Sequence, residues 1–560
     1  MEVLPFKFDD NLPKRLVNQK YGLDWPVVYI ITNNNEAYIG ETVNASIRAQ
    51  QHLAVSERRK LKNYYIVSDD TFNKSVILDL EAFLISNIAS DGKYKLQNGN
   101  SGLHNHNYYR KKMYQEKFND IWNELKNKKV VENDLELIKN TDLFKYSPYK
   151  SLTVDQYMSV NGILNQLYED IKNKKKSSFV VTGGAGTGKT ILGIYILKLL
   201  MTPIEEDETL DEENLAENFK IVARIKKMSE SMKIGLVIPQ QSLRSTIKKT
   251  FRKINTLSSD MVYSPHEIAK SDEYFDLLIV DEAHRLRRRK NITNYEEFDK
   301  DNARFGLGKT GTELDWILKK SKYQIFFYDS DQSVKPTDIT PEQFNKVFFD
   351  SNTHHEALIT QQRCLLGGNE YVEYVKRIFS NNPPKAMEKF DKYEFKLFDD
   401  PNELIDAIKI KDKQYGLCRN VAGISFAWTR NKEKIVINNG EDIEFGKKKY
   451  IWNTKVVDWI NSKKAAEEIG CIHTVQGYDL NYTGLIIGRE LKYNPETNKI
   501  YVDEEEYKDR NAKAGATEEE LEQYVLNIYS TMCLRGMLGT YVYACDPNLQ
   551  EYLKKFIQKK

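Results

Sequence analysis

The stretch FVVTGGAGTGKTIL, residues 179–192, decides the fold of this chain. It opens with an apolar, β-branched run that predicts a buried strand, and a glycine-rich turn then leads into an aliphatic helix. The turn has the G-x-x-x-x-G-K-[ST] spacing of a phosphate-binding loop, in which glycines let backbone N–H groups surround an anion. In such a loop Lys189 reaches the β- and γ-phosphates of a nucleotide, and the Thr190 hydroxyl ligates Mg²⁺. The residues predicted to bind ATP here are Gly183, Gly184, Ala185, Gly186, Thr187, Gly188, Lys189 and Thr190.

The composition describes a multidomain protein without a strong charge bias. The chain has 560 residues and a formal net charge of +2. That length suits about three or four domains, and the charge requires any nucleic-acid surface to be local. The five cysteines are odd in number and include no C-x-x-C pair, which favours reduced thiols over disulfides or a zinc module. No signal peptide or apolar run of bilayer length is visible, so we expect a cytoplasmic protein without membrane contact.

Near the N-terminus, the segments VVYIIT (27–32) and AYIG (37–40) predict a β-hairpin. A helix capped by Thr42 or Asn44 is predicted to follow it. Further along, VILDLEAFLISNIAS predicts a second helix, with an acidic residue near its start. These elements predict a small α/β domain.

The polar and aromatic residues of this region follow the order of the GIY-YIG endonuclease domain, which the chain resembles from about residue 25 to about residue 105. The first motif departs from the family, because VYI stands where GIY is usual, but its tyrosine is retained. The matching residues are Tyr29, Tyr38, Gly40, Arg48, His52, Glu81 and Asn98, with Asn100 as an alternative to Asn98.

This resemblance implies Mg²⁺-dependent hydrolysis of a phosphodiester, and the residue types suit that chemistry. Glu81 would hold Mg²⁺, and Arg48 would face the phosphate. Tyr29 would handle the proton together with His52 or Tyr38. The hairpin alone would fit an alternative in which the two tyrosines are packed cross-strand neighbours and the arginine is a surface charge.

The segment that follows is highly charged and has aromatic residues at helical spacing, which predicts a connecting helix. We therefore predict four parts in the chain. They are a nuclease-like domain with an N-terminal lead-in (1–110), a connecting helix or linker (111–150), a first nucleotide-binding lobe (151–350) and a second lobe with insertions (351–560).

A second strong motif is YFDLLIVDEAHRL, residues 274–286, an apolar strand that ends in two acids. Asp281 is predicted to hold Mg²⁺ through water, and Glu282 to orient the water that attacks the γ-phosphate. Downstream, YQIFFYDSDQSVKP resembles motif III of superfamily 1 helicases, although Tyr328 replaces the usual glycine. The resemblance implies that Gln332 senses the γ-phosphate.

Three further features of the same region concern contacts with nucleotide or nucleic acid. Gln156 lies where superfamily 1 helicases place a glutamine that recognises adenine. Residues 233–251, KIGLVIPQQSLRSTIKKTF, resemble motif Ia, which contacts the phosphates of a strand. The basic run at 285–290 either contacts nucleic acid or is a solvated loop.

The second half of the chain resembles helicase motifs IV to VI. Arg363 matches the motif IV arginine, residues 473–479 match motif V, and Arg535 matches the arginine finger of motif VI. Taken together, residues 150–550 most resemble the helicase domain shared with Schlafen proteins. An arginine supplied from a second domain would make hydrolysis depend on closure of the cleft.

We therefore predict an α/β protein in which a small GIY-YIG nuclease domain precedes two RecA-like lobes with parallel sheets. Its predicted function is an ATP-dependent, superfamily 1-like motor coupled to a Mg²⁺-dependent endonuclease that cleaves DNA, with RNA as an alternative substrate. Domain fusions of this kind suggest, by analogy, prokaryotic anti-phage defence. The alternatives are a DNA repair or recombination nuclease-helicase and a nucleotide-gated nuclease that does not unwind.

Overall fold

The chain forms two compact units. A computed structural model describes residues 1–99, 107–150, 152–203, 217–229, 231–361, 364, 366–390, 392–426, 441–452, 454–455, 458–475, 477–509 and 513–560. The first unit contains residues 1–174, 190–231 and 247–261, and the second contains residues 175–189, 232–246 and 262–560. The predicted positions Asn100 and Arg363 lie outside the described residues.

A five-stranded sheet organises the first unit. Its strands are β1 (Glu2–Lys7), β2 (Val27–Thr32), β3 (Glu36–Thr42), β4 (Asn63–Ser68) and β5 (Lys95–Leu96). They lie in the order β1–β4–β2–β3–β5, and all pairs are antiparallel except β3 with β5. Strand β2 is buried along its whole length because its sequence, VVYIIT, is apolar at nearly every position. The predicted hairpin is confirmed as β2 and β3.

Helices cover this sheet and extend the first unit. They are α1 (Leu12–Val17), α2 (Ala45–Ala54), α3 (Lys74–Asp91), α4 (Lys111–Asn127), α5 (Leu135–Lys139), α6 (Asp142–Lys145), α7 (Val154–Lys172), α8 (Lys189–Met201) and α9 (Glu217–Met228). Of the two predicted caps for α2, it is Asn44 whose side chain accepts a hydrogen bond from the Ile47 N–H. The predicted connecting helix is α4, and its Phe118 and Trp122 rings lie 5.4 and 6.4 Å from Phe83 of α3. This helix therefore packs onto the small domain.

The first half of the second unit is a six-stranded parallel sheet. Its strands are β6 (Ser177–Gly183), β7 (Ile234–Val237), β8 (Val262–Tyr263), β9 (Phe275–Val280), β10 (Ser321–Tyr328) and β11 (Thr353–Leu358). They lie in the order β11–β6–β10–β9–β7–β8. The helices in this half of the sequence are α10 (Gln241–Phe251), α11 (Pro265–Lys270), α12 (Tyr295–Arg304), α13 (Glu313–Lys320) and α14 (Pro341–Phe348). Because the strands are parallel, the loops after β6, β9 and β10 meet at one edge of the sheet.

A second parallel sheet forms the other half of this unit. Its strands are β12 (Glu394–Leu397), β13 (Arg419–Ala422), β16 (Ile469–Gly470), β17 (Leu480–Ile487), β20 (Gly536–Ala544) and β21 (Gln558–Lys559). Two antiparallel hairpins interrupt the sequence, β14 (Glu441–Phe445) with β15 (Lys448–Ile451) and β18 (Leu491–Asn494) with β19 (Lys499–Val502). The helices are α15 (Gly368–Ile378), α16 (Pro401–Tyr415), α17 (Ile472–Val475), α18 (Glu518–Cys533) and α19 (Pro547–Leu553). The predicted α/β class with parallel sheets is confirmed.

Among the helices of the described segments, none is long and apolar enough to cross a bilayer.

Candidate functional site

The phosphate-binding loop connects β6 to α8 and requires glycine at two positions. Gly186 and Gly188 have φ angles of +86° and +81°, a left-handed conformation that residues with a Cβ rarely adopt. The Lys189 ammonium is buried and donates hydrogen bonds to the carbonyls of Gly183 and Gly184, at 2.9 Å for the latter. Lys189 Nζ also lies 3.3 Å from Asp329 Oδ2 at the end of β10. The loop is thus tied to the neighbouring strand through its lysine.

Asp329 links the phosphate-binding loop to the predicted γ-phosphate sensor. Gln332 Nε2 donates to the same carboxylate oxygen of Asp329 at 2.6 Å. Burial alone would raise the pKa of Asp329, but the charges of Lys189 and His284 lower it below its ordinary value. An ionised Asp329 therefore joins Lys189 and Gln332. The sequence does not reveal this role of Asp329, because a contact across 140 residues leaves no local pattern.

The two acids after β9 occupy the adjacent position on the same edge. Glu282 has a φ of +51°, which is unusual for a residue with a side chain. His284 Nε2 lies 3.0 Å from Glu282 Oε2 and is fully buried. Burial would raise the pKa of Glu282, but His284 and the charge of Lys189 hold it well below its ordinary value. His284 was not predicted, and it positions the Glu282 carboxylate.

The residues at this edge fit a bound nucleotide with its metal. Asp281 is almost completely buried at the end of β9, and its N–H donates to Val237 O on β7. A carboxylate and a threonine hydroxyl are hard oxygen ligands of the kind that Mg²⁺ prefers. Two clefts of 310 and 400 Å³ border the loop, one lined by Ala185 and Gln332 and the other by Gly183 and Gly184. Their sizes lie in the range of small-molecule sites.

Arg535, the predicted arginine finger, lies between β17 and β20. It is 1% exposed, and its Nη1 donates to Tyr478 O at 3.3 Å. The Tyr478 hydroxyl in turn lies 2.9 Å from Thr246 Oγ1 on α10. Arg535 is thus held beside a contact between the two halves of the second unit.

Gln156, the predicted adenine-binding residue, takes part in the cap of α7. Its Oε1 accepts from Thr153 N at 3.0 Å, and the Thr153 side chain accepts from the Gln156 N–H. This capping box gives the glutamine a structural role of its own.

Each arginine and lysine of the basic run at 285–290 forms an intramolecular ion pair, and Arg285 and Arg287 also line a cleft of the second unit. Arg287 pairs with Glu313 at 2.7 Å and Arg289 with Asp299 at 2.7 Å. Further pairs join Arg285 to Asp338 at 3.3 Å and both Arg288 and Lys290 to Glu520 of α18, at 3.9 and 3.0 Å. The last two pairs join the two halves of the second unit.

In the first unit, β2, β3 and α2 bring four of the predicted nuclease residues together. Tyr29 Oη lies 2.7 Å from His52 Nε2, and Arg48 Nε donates to the same hydroxyl at 3.3 Å. The Tyr38 and His52 ring centroids are 4.9 Å apart. A Cβ at Gly40 would lie only 2.2 Å from Tyr29 Oη, so the tyrosine hydroxyl reaches this position because residue 40 is glycine.

Glu81, on α3, faces the end of β3. Its carboxylate accepts a hydrogen bond from the Glu41 backbone N–H, but burial, together with the Glu41 charge, raises the pKa of Glu81 to about 8. Lys74 Nζ lies 2.6 Å from both Glu41 carboxylate oxygens, a pair that sequence reasoning missed. Within the described segments no cluster of three or more potential metal-ligating side chains occurs. A single carboxylate still fits Mg²⁺, which takes waters and substrate phosphates as its other ligands.

Asn98 is buried, and its side-chain amide bonds to the backbone of the hairpin. Its Oδ1 accepts from Ile39 N at 3.1 Å, and its Nδ2 donates to Ile39 O at 2.7 Å. Ile39 is the residue between Tyr38 and Gly40, so Asn98 fixes the backbone of β3 at the site.

A glycine-rich phosphate-binding loop at the edge of one of two parallel sheets defines a two-lobed P-loop protein. Residues 176–546 match the family model described as Schlafen group 3, DNA/RNA helicase domain. The match covers more than half of the chain, and the chain belongs to this family.

The sequence identity to individual relatives and solved structures is low. The uncharacterized protein YPL245W of Saccharomyces cerevisiae (strain ATCC 204508 / S288c) is 25% identical over 414 residues, which is 68% of this chain and 84% of the yeast protein. An arterivirus nonstructural protein 10 helicase with DNA gives a TM-score of 0.28 at 12% identity, covering 70% of this chain and 67% of the other. Bacteroides Pif1 bound to ssDNA gives 0.24 at 10% identity, covering 67% and 91%.

Proposed function

We propose that the chain is an ATP-dependent nucleic-acid motor of the superfamily 1 type. The observation that carries this proposal is the arrangement at the edge of the first parallel sheet. There Lys189 and Gln332 share the Asp329 carboxylate, and Glu282 follows the next strand. Membership of the helicase-domain family supports the same assignment. The proposed setting is defence against foreign DNA, by analogy with similar domain fusions.

Each residue of this arrangement has a separate task in hydrolysis. Bound ATP and Mg²⁺ supply the reactive phosphoanhydride and the charge that neutralises it. Lys189 exchanges Asp329 for the β- and γ-phosphates, Glu282 orients the attacking water, and Gln332 responds to the γ-phosphate. The proposed metal ligands are Thr190 and Asp281, the proposed adenine contact is Gln156, and the proposed transition-state cations are Arg363 and Arg535.

The nucleic-acid strand is proposed to occupy a separate, larger cleft of 630 Å³ in the second unit. The motif Ia segment at the start of α10 lines it with Gln240, Ser242 and Arg244, and Lys335 and His473 line it as well. Amide, hydroxyl and guanidinium donors of this kind are typical phosphate contacts. The cleft therefore offers polar and cationic groups where motif Ia places a strand.

ATP hydrolysis by the Glu282→Gln variant is expected to fall by about a hundredfold or more, because the amide cannot orient water as a base does. ATP binding should persist, since Lys189 and the loop glycines are unchanged. We would measure ATPase rates with single- and double-stranded DNA and RNA, and nucleotide affinity with a fluorescent ATP analogue. Glu296→Gln, which changes an exposed glutamate paired with Lys300, is the matched control. Full turnover by Glu282→Gln, or no stimulation of the wild type by any nucleic acid, would contradict the motor.

We further propose that the first unit is a Mg²⁺-dependent endonuclease. Tyr29, Arg48 and His52 support this proposal because they form one hydrogen-bonded group around a single hydroxyl. A guanidinium beside that hydroxyl would stabilise the charge on an attacked phosphate. Glu81, with its raised pKa, would lose its proton when Mg²⁺ binds, and Tyr38 and Asn98 would complete the site.

A specific contact favours the alternative in which nucleotide gates the nuclease. Lys198 lies on α8, the helix that begins with Lys189, and its buried ammonium donates to Asn98 O at 3.3 Å and Gly99 O at 2.5 Å. Nζ also lies 4.5 Å from the centroid of the Tyr149 ring. Because the Asn98 side chain holds Ile39, a displacement of α8 would reach the strand that carries Tyr38 and Gly40.

Lys198→Met is expected to remove the effect of nucleotide on cleavage while ATP hydrolysis continues. The variant keeps the volume of the side chain but removes charge-assisted hydrogen bonds that are each worth about 1.5–3 kcal/mol. Plasmid nicking would be measured with Mg²⁺ alone, with ADP and with a non-hydrolysable ATP analogue, next to the exposed-lysine control Lys172→Met. A nucleotide response in Lys198→Met equal to that of the wild type would rule out this route.

A further inference from the structure

Arg58 is a buried cation. The sequence does not single it out, because it is the first residue of the basic triplet Arg58–Lys60 after α2, and such a triplet is typical of a surface. Its neighbour Arg59 has a side chain that is 61% exposed and pairs with Asp10, as expected for a surface charge. Arg58, in contrast, is 3% exposed. Its guanidinium carbon lies 3.4 Å from the centroid of the Tyr38 ring, and its Nη1 lies 3.2 Å from His52 Nδ1.

The contact with Arg58 determines which nitrogen of His52 carries the proton. A guanidinium keeps its protons at all ordinary pH values and has no acceptor, so Arg58 donates and His52 Nδ1 accepts. His52 is then neutral, with its proton on Nε2, and that N–H donates to Tyr29 Oη at 2.7 Å. Burial and the charges of Arg58 and Arg48 lower the pKa of His52 well below its ordinary value, which agrees with a neutral ring.

Tyr29 consequently receives two hydrogen bonds on its oxygen. One comes from His52 Nε2–H and the other from Arg48 Nε–H. The phenol proton is therefore directed to neither of these partners. Burial raises the pKa of Tyr29 well above its ordinary value, and the two donors stabilise the phenolate that forms when the proton leaves to solvent. His52 cannot accept a proton from water, because Nδ1 accepts from Arg58 and Nε2 already carries hydrogen.

We propose that Arg58 is a positioning residue that fixes the Nε2–H tautomer of His52. Tyr29 is then the proton acceptor: its phenol proton first leaves to solvent, and the phenolate takes a proton from the attacking water as the water oxygen bonds to phosphorus and the sugar oxygen leaves. This inference rests on the proposed endonuclease function. It makes His52 a hydrogen-bond donor to Tyr29, where the sequence left open whether His52 or Tyr38 handles the proton together with Tyr29.

A spectroscopic test requires no cleavage. In the full chain labelled with ¹⁵N-histidine, His52 would be assigned among the eight histidines by comparison with His52→Gln. We expect a protonated Nε2 and an unprotonated Nδ1 from about pH 6 to about pH 8 in the wild type. An Nδ1–H tautomer, or a His52 that titrates in this range, would overturn the inference whether or not the protein cuts DNA.

Arg58→Met gives the second test. Without the donor, His52 can move its proton to Nδ1 and present Nε2 as an acceptor to the Tyr29 hydroxyl. The phenolate then loses one of its two donors, which should slow nicking about tenfold near pH 8. Burial still lowers the pKa of His52 in this variant, but the loss of the Arg58 charge raises it again in part. At about pH 6 a larger fraction of the rings is therefore protonated than at about pH 8, Nε2 donates in that fraction, and the rate should partly recover. The charged and titratable groups around this ring are Tyr29 and Tyr38 from the hairpin, Tyr64 from β4, Arg48 on α2 and Arg58 itself.

The control and the rescue keep this test decisive. Arg59→Met changes the exposed neighbour and should retain the wild-type pH profile, and Arg58→Lys, which keeps a donor, should restore part of the rate near pH 8. A loss of rate in Arg58→Met that is equal at both pH values would reduce Arg58 to a packing role and overturn the proposal. If the wild type never nicks DNA but His52 shows the Nε2–H tautomer, the endonuclease function fails and the positioning by Arg58 stands.

Discussion

Replacing Lys189 by alanine is expected to abolish ATP hydrolysis, with a loss of about a hundred- to a thousandfold. Lys189 supplies the ammonium group of the phosphate-binding loop. Its charge stabilises the reaction most when negative charge builds up on the γ-phosphate. The measurement is the steady-state ATPase rate together with nucleotide affinity, next to the surface variant Lys346→Ala, whose lysine pairs with Asp315. Wild-type turnover in Lys189→Ala would mean that the loop is not the nucleotide site.

The Asp329 contact makes a second variant necessary. Removing Lys189 leaves the buried Asp329 carboxylate without its nearest cation, and an uncompensated buried charge costs about 3–5 kcal/mol. The double variant Lys189→Ala with Asp329→Asn removes both charges. We expect its thermal stability to recover while ATP hydrolysis stays absent, which separates the loss of chemistry from damage to the fold.

Replacing Glu81 by glutamine is expected to abolish Mg²⁺-dependent nicking, with a loss of about a hundred- to a thousandfold. The amide has the shape of the protonated acid but cannot provide the charge that holds the metal. ATP hydrolysis should continue, because Glu81 is not part of the phosphate-binding loop or of the acids after β9. Plasmid nicking and ATPase would be measured on the same preparation, with Glu57→Gln as an exposed control. Unchanged cleavage would reduce the first unit to a binding module.

The raised pKa of Glu81 gives this variant a signature in stability. Its pKa rises from the ordinary value of 4.5 to about 8 in the folded chain, so folding favours the protonated form. Without metal, the wild type therefore loses stability as pH rises from the unfolded value through about 8, whereas glutamine has no proton to lose. Melting temperatures should show an advantage of Glu81→Gln over the wild type that grows from about pH 6 to about pH 9. A variant that is less stable at both would indicate a packing defect.

The sequence predicts an element correctly where a few neighbouring residues determine its structure. The run before Gly183 predicts a buried strand, because apolar β-branched residues on both faces fit a covered parallel sheet, and the spacing to Lys189 predicts the loop that follows. The sequence likewise restricts the N-cap of α2 to Thr42 or Asn44, since capping depends on a few neighbouring positions.

The partners of these residues could not be predicted, because tertiary contacts join positions with no fixed spacing. Asp329 meets Lys189 from a strand 140 residues away, and Glu520 meets Lys290 across 230 residues. The basic run therefore resembles a nucleic-acid contact in the sequence although its charges face carboxylates. The sequence does not reveal Arg58 either. Its neighbours in the sequence are those of a surface residue, although its side chain is buried against Tyr38.

The pairing of the basic run has a consequence for the thermodynamics of binding. Phosphate contacts by free cations release condensed counterions, which makes the affinity for nucleic acid fall steeply with salt. Arg285, Arg287 and Arg289 are already neutralised by carboxylates of the chain, so a bound strand displaces few counterions through them. The part of the affinity that these three arginines contribute would then depend on polar contacts and shape more than on ionic strength, whereas contacts by Arg244 and Lys335 in the cleft would keep the usual salt dependence.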